Sequence, residues 1–139
     1  MIVADTGGIV ALLDADDRHH EAVVAAFEQH GDQWLLPWAI LPEVDYLATK
    51  YLGAKVALAF AQDVASGVFR VEPFVAEDMK RAVALQKSHA ALKLGLVDSV
   101  MMAVAERQRV KAIVTLDERH FRAVSLKVRP APRLIPRDD

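Results

Sequence analysis

Four carboxylates in this chain stand where an apolar run gives way to a helix. They are Asp5 after Ile2-Val3-Ala4, Glu43 after Pro42, Asp98 after Leu96-Val97, and Asp117 after Ile113-Val114-Thr115-Leu116. Acids at strand ends, or in the first turn of the next helix, lie at the edge where open α/β sheets place their ligand crevice. Gathered there, all-oxygen ligands suit a hard divalent cation, Mg²⁺ or Mn²⁺, and ions so held hydrolyse phosphodiesters. Clustering would force the issue. Two carboxylates ~4 Å apart repel by ~4 kcal/mol at an effective dielectric near ~20. Four of them must either take up protons or bind a cation.

Each acid also has a plainer explanation. Asp5 could be the N-cap of a helix beginning near Gly7. Glu43 in a helix's first turn favours the macrodipole. Asp117 could close a turn before a short helical segment, 118–121. Asp98 lies between Leu94, Leu96, Val97 and Val100, Met101, Met102. That setting implies burial, with no lysine or arginine near it on the same helix face, and a buried carboxylate needs a partner or a metal. Thr6 could orient Asp5 or serve as the cap. Thr115 lies two residues before Asp117, so both side chains point the same way in an extended segment. Its hydroxyl could hold that carboxylate or a coordinated water. The histidines (His19, His20, His30, His89, His120) show no metal-ligand spacing and read as surface or capping residues.

The elements that must position these acids follow from hydrophobic periodicity and from breakers. Strands are predicted at 2–4, 34–36, 68–71 and 112–115, with a weaker one at 125–128. Helices are predicted at 9–14, 19–30, from Leu41 or Pro42 to Gly53, at 55–66, 76–92 and 98–108. Pro42 suits a first helical turn, and Gly53 a helix end. Strands alternating with helices predict one α/β domain with a mostly parallel sheet, 1–129. Pro130, Pro132 and Pro136 predict an extended or disordered tail, 130–139.

The chain has 139 residues and no cysteine, which excludes disulfides, thiolate zinc sites and a cysteine nucleophile. No apolar run approaches the ~20 residues of a membrane span. The start lacks a signal peptide's pattern. A soluble, cytoplasmic protein is expected. The net charge of −2 is unevenly spread. Residues 1–45 carry nine acids and one base, Arg18; residues 107–137 carry nine bases and two acids. A basic margin beside a metallated acidic centre suits a polyanion such as RNA, whereas a solvated basic tail is the bland alternative.

The sequence resembles the PIN domain, and more narrowly the VapC-type ribonuclease toxins of bacterial toxin–antitoxin pairs. The likeness rests on Asp5-Thr6 in Val-Ala-Asp-Thr-Gly, Glu43 in Leu-Pro-Glu-Val, Asp98 in Leu-Val-Asp-Ser-Val-Met-Met-Ala-Val-Ala, and Asp117 in Val-Thr-Leu-Asp-Glu-Arg-His-Phe. A His20-Glu21-Ala22 segment adds to it. The resemblance implies a three-layer sandwich, with a mostly parallel central sheet and helices on both faces. It implies a Mg²⁺- or Mn²⁺-dependent endoribonuclease with one or two ions per site. Asp5, Glu43 and Asp98 would be core ligands, and Asp117 a fourth acid acting directly or through water. Thr6 and Thr115 match supporting hydroxyl positions. It further implies a homodimer silenced by a cognate antitoxin whose tail enters the acidic cleft. Gly7-Gly8 departs slightly from the family pattern and predicts a looser start to the first helix.

Rival readings are a non-catalytic RNA- or protein-binding module, whose acids are caps, and a metal-dependent phosphatase. A dehalogenase-type phosphatase would want a second aspartate at position 7, which is Gly7. A receiver domain would want a lysine after a late strand, whereas Lys111 precedes one.

Overall fold

A computed structural model describes residues 1–139. Five strands form one sheet: β1 (Ile2–Ala4), β2 (Trp34–Pro37), β3 (Arg70–Glu72), β4 (Ala112–Val114) and β5 (Arg133–Ile135). Their order is β3-β2-β1-β4-β5, and every neighbouring pair is parallel. Seven helices surround it: α1 (Thr6–Leu13), α2 (His20–His30), α3 (Ile40–Leu52), α4 (Ala54–Ala65), α5 (Ala76–Ser88), α6 (Leu96–Arg107) and α7 (Glu118–Ala123). This is the mostly parallel α/β architecture expected from the sequence.

The three central strands, β1, β2 and β4, are buried along their whole length. That is why they read as unbroken apolar runs rather than as alternating ones. Ile2 sits beside both Trp34 and Ala112, and Ala4 beside Val114. The carboxyl ends of β1 and β4 therefore lie side by side. The Asp5 N–H extends the ladder by donating to the Val114 carbonyl at 3.0 Å.

Three expectations need correction. The last strand is Arg133–Ile135, inside the segment predicted to be an extended or disordered tail, and not 125–128. β5 is an edge strand, and prolines flanking an edge strand remove no ladder bond. Leu126 and Val128 are buried, as residues of the weak strand predicted there would be. Their backbone, however, is bound by side chains. Arg129 Nη1 donates to the carbonyls of Leu126 and Val128, each at 2.8 Å, and the Lys127 N–H donates to Glu106 at 3.1 Å. The third strand begins at Arg70, two residues late, because Val68 is exposed at the turn that Gly67 makes with φ +86°. α5 ends at Ser88, and a 3₁₀ turn at Ala90–Leu92 replaces its predicted last turn.

α5 and α6 are tied together by partly buried ion pairs that sequence pattern does not reveal. Arg107 grips the buried Asp78 at both oxygens, 2.8 Å each, and reaches Glu72 at 2.6 Å. Arg81 holds Glu106 at 2.8 and 3.0 Å. Planar guanidinium matches carboxylate in this two-pronged way, so neither acid is left uncompensated.

Candidate metal centre

Asp5 terminates β1 and is the N-cap of α1, with its Oδ1 accepting from the Gly8 N–H at 2.7 Å. Its other oxygen, Oδ2, accepts from the Thr115 hydroxyl. Asp5 is thus both cap and cleft wall. Gly8 does not loosen the helix start as predicted. A Cβ there would fall 2.9 Å from Val114 Cγ1 and 3.0 Å from its carbonyl oxygen. Its missing side chain lets α1 press against β4 and brings its N–H under Asp5.

The other acids arrive on helix starts. Glu43 is exposed in the first turn of α3. Asp98 lies in the first turn of α6. Asp117 is the N-cap residue of α7, yet its carboxylate makes no capping bond. With Asp5 before α1, four helix N-termini converge on one edge of the sheet. Their dipoles favour negative charge by about 0.3–1 kcal/mol each, which eases the crowding of acids without cancelling it.

All four acids line one cleft of about 380 Å³ together with Thr6, Gly7, Leu47 and Leu116. Neither lysine nor arginine pairs with any of them. The tightest group contains a residue that sequence reasoning set aside. His120 Nδ1 lies 3.0 Å from Asp98 Oδ2 and 3.8 Å from Asp117 Oδ2. Single ligand atoms of Asp98, Asp117 and His120 all fall within 4.8 Å of one another. The signal was present: His120 is three residues after Asp117, and that spacing puts both on one face of a helix. Asp98 is also less buried than its neighbours implied, with 30% of its side chain exposed. It is the half-open wall of the cleft, with imidazole as partner.

Thr115 acts differently from expectation. Its hydroxyl donates to Asp5, across the β1–β4 pair, and its oxygen accepts the Asp117 N–H at 3.0 Å. One threonine therefore fixes the carboxylate of the first acid and the backbone of the last. Thr6 is buried with its hydroxyl unpartnered. A buried polar atom with no partner costs about 1–3 kcal/mol, and this one belongs to a residue of the cleft wall.

The Asp5 carboxyl is pushed up to about 6. Burial is the main cause; the bonds from Thr115 and Gly8 oppose it, and the charges of Asp98 and Asp117 add to the rise. Near neutral pH the cleft therefore holds a proton only loosely. A bound cation would displace it by reversing the local field.

A model of the PIN domain family matches residues 2–126 of this chain. Ribonuclease VapC26 of Mycobacterium tuberculosis is 27% identical over 123 residues, spanning 88% of this chain and 91% of that protein. The crystal structure of VapC20 from Mycobacterium tuberculosis, a sarcin–ricin-loop-cleaving toxin, superposes with a TM-score of 0.81 at 25% identity. It covers 94% of this chain and 100% of its own. DNA-bound VapBC from Salmonella typhimurium superposes with a TM-score of 0.71 at 18% identity, covering 96% of this chain and 95% of its own, a likeness of fold. No helix is long and apolar enough to cross a membrane. A match over nearly all of the sequence, on a fold that gathers acids at one sheet edge, makes this chain a member of the PIN domain family.

Proposed function

We propose that this protein is a metal-dependent endoribonuclease, the toxin of a toxin–antitoxin pair, that cuts RNA in the cytoplasm. One observation carries the reading: four carboxylates share a cleft in which the protein supplies no lysine or arginine to balance them. The four carboxylates form an oxygen-rich donor set that fits Mg²⁺ or Mn²⁺, one or two ions per site, with the His120 imidazole bracing Asp98 from outside it. Asp5, Glu43 and Asp98 would hold the ion, with Asp117 completing the set. Bound there, a divalent cation supplies Lewis-acid stabilisation of the phosphoryl group and acidifies a water for attack.

The chain's own residues prepare that chemistry. Thr115 orients Asp5 and holds the backbone of Asp117. His120 braces Asp98. Release of the proton on Asp5 makes ion binding pH-dependent. The relatives' names favour RNA as the substrate and an antitoxin as the partner, and a homodimer is part of the proposal.

The test is cleavage of synthetic RNA by the wild-type protein and by Asp98→Asn, with Mg²⁺, with Mn²⁺ and with chelator. Ion-dependent internal cuts, lost in the variant while its melting curve stays intact, support the reading. A folded wild type that makes no ion-dependent cut sinks it. Co-purification with the product of the adjacent reading frame tests the antitoxin. A solution mass near twice 15.3 kDa tests the dimer.

A further inference from the structure

The basic third of the sequence is not a uniform margin beside the acids. Arg107, Arg122 and Arg137 are tied to carboxylates of the protein. Arg109, Lys111 and Arg129 have no carboxylate partner, and these three line one open groove of about 430 Å³ with Arg133. Only Arg133 has an acidic partner there, Asp139 at 3.1 Å.

The groove is held in place by backbone. Lys111 directly precedes β4 and Arg133 opens β5, and the Arg133 N–H donates to the Lys111 carbonyl at 3.0 Å. The Arg129 guanidinium is fixed by two carbonyls, yet no charge neutralises it. These residues mark the amino edge of the sheet, whereas the acids mark the carboxyl edge. Along β4 the separation from Lys111 to Thr115 is about 13 Å at ~3.3 Å per residue.

The acidic cleft repels RNA phosphates, and a single divalent ion offsets only half of four carboxylate charges. Affinity for a polyanion must then come from cations placed elsewhere. We propose that the groove of Arg109, Lys111, Arg129 and Arg133 is a second phosphate-binding surface, which grips the backbone of a folded RNA away from the bond to be cut. The proposal rests on the nuclease reading for the identity of the polyanion. It implies that substrates are RNAs large enough to reach from one sheet edge to the other.

Binding separates this idea from cleavage. The Asp98→Asn protein, full length, is titrated against a labelled RNA hairpin of about 20 base pairs over a range of KCl. Arg109→Gln/Lys111→Gln is compared with Lys55→Gln/Lys87→Gln, which removes the same charge from exposed positions on α4 and α5. The groove pair should weaken binding about tenfold at low salt. It should also reduce the slope of log K against log [KCl] by about 1.4–1.8, at ~0.7–0.9 per phosphate contact. The α4/α5 pair should leave the slope unchanged. Equal losses from both pairs, an unchanged slope for the groove pair, or no RNA binding at all would each overturn the proposal. Unaltered RNA binding by the groove pair would hand the groove to an acidic protein segment instead. Failure of the nuclease reading shows separately, as absence of ion-dependent cuts by the wild type.

Discussion

Two buried aspartates, Asp5 and Asp78, are treated in opposite ways. Asp78 is 3% exposed and is gripped at both oxygens by Arg107. Asp5 is 6% exposed and receives one hydroxyl and one backbone N–H, with no cation within reach and two further acids nearby. The first acid is complete, and its purpose is to fasten α5 to α6. The second is left short of positive charge in the wall of the acidic cleft. A fold that can build the Arg107 clamp does not lack the means to neutralise a carboxylate. Leaving Asp5 bare reserves that position for something from outside.

The largest expected effect breaks the contrast at its functional end. Asp5→Asn should lower RNA cleavage by roughly a hundredfold or more, since it removes charge that only an ion would balance. The same substitution should stabilise the ion-free protein at pH 7–8 by on the order of 2 kcal/mol, because the raised carboxyl no longer has to ionise. Urea unfolding in chelator reads that gain, and a loss of stability would contradict it.

Asp78→Ala should do the reverse. It removes two charged hydrogen bonds, leaves Arg107 held by Glu72 alone, and should cost about 1–2 kcal/mol of stability, read by the same unfolding curves. The residual cleavage of the folded fraction should be unchanged. If Asp78→Ala abolishes cleavage without destabilising, the division of labour between the two aspartates is wrong.

The pH dependence sharpens the comparison further. Between about 4 and 6 the folded state binds more protons at Asp5 than the unfolded chain, so its contribution to stability is present below that window and lost as pH rises through about 6. Adding Mn²⁺ above pH 6 should restore the melting temperature in the wild type and in Asp78→Ala, but not in Asp5→Asn. The smallest effect belongs to His120. His120→Ala should weaken Mn²⁺ binding about tenfold, as loss of a brace on a ligand does, and His120→Asn should recover most of it. Titration calorimetry measures both.

Much of this was legible in the sequence, and for identifiable reasons. β1, β2 and β4 are buried on both faces, so their apolar runs are dense, and the acids that end the first and last of them stand out. Asp5, Glu43, Asp98 and Asp117 were candidates by local pattern because each sits at an element boundary, the resemblance to PIN domains singled them out as a set, and one cleft brings them together. Relations between distant parts were not legible. Thr115 serves Asp5 across a separation of 110 residues, and Gly8 is needed because of Val114. The paired state of Asp78 depends on Arg107 in another helix. β5 was hidden because prolines near an edge strand resemble a tail, and the buried Leu126 and Val128 mimicked a strand in a segment whose Leu126 and Val128 carbonyls and Lys127 N–H are bound by side chains instead. His120 was passed over as one of several histidines, although its spacing from Asp117 was in plain view.

The adjacency of β1 and β4 has one more result. The middle of the sheet joins residues near the start of the chain to residues beyond position 111. A polypeptide halted during synthesis before that point has β1 paired with β2 alone, with neither Thr115 nor Asp117 to meet Asp5. The acidic cleft is therefore completed late, only once Asp117, the last of its four carboxylates, has been made.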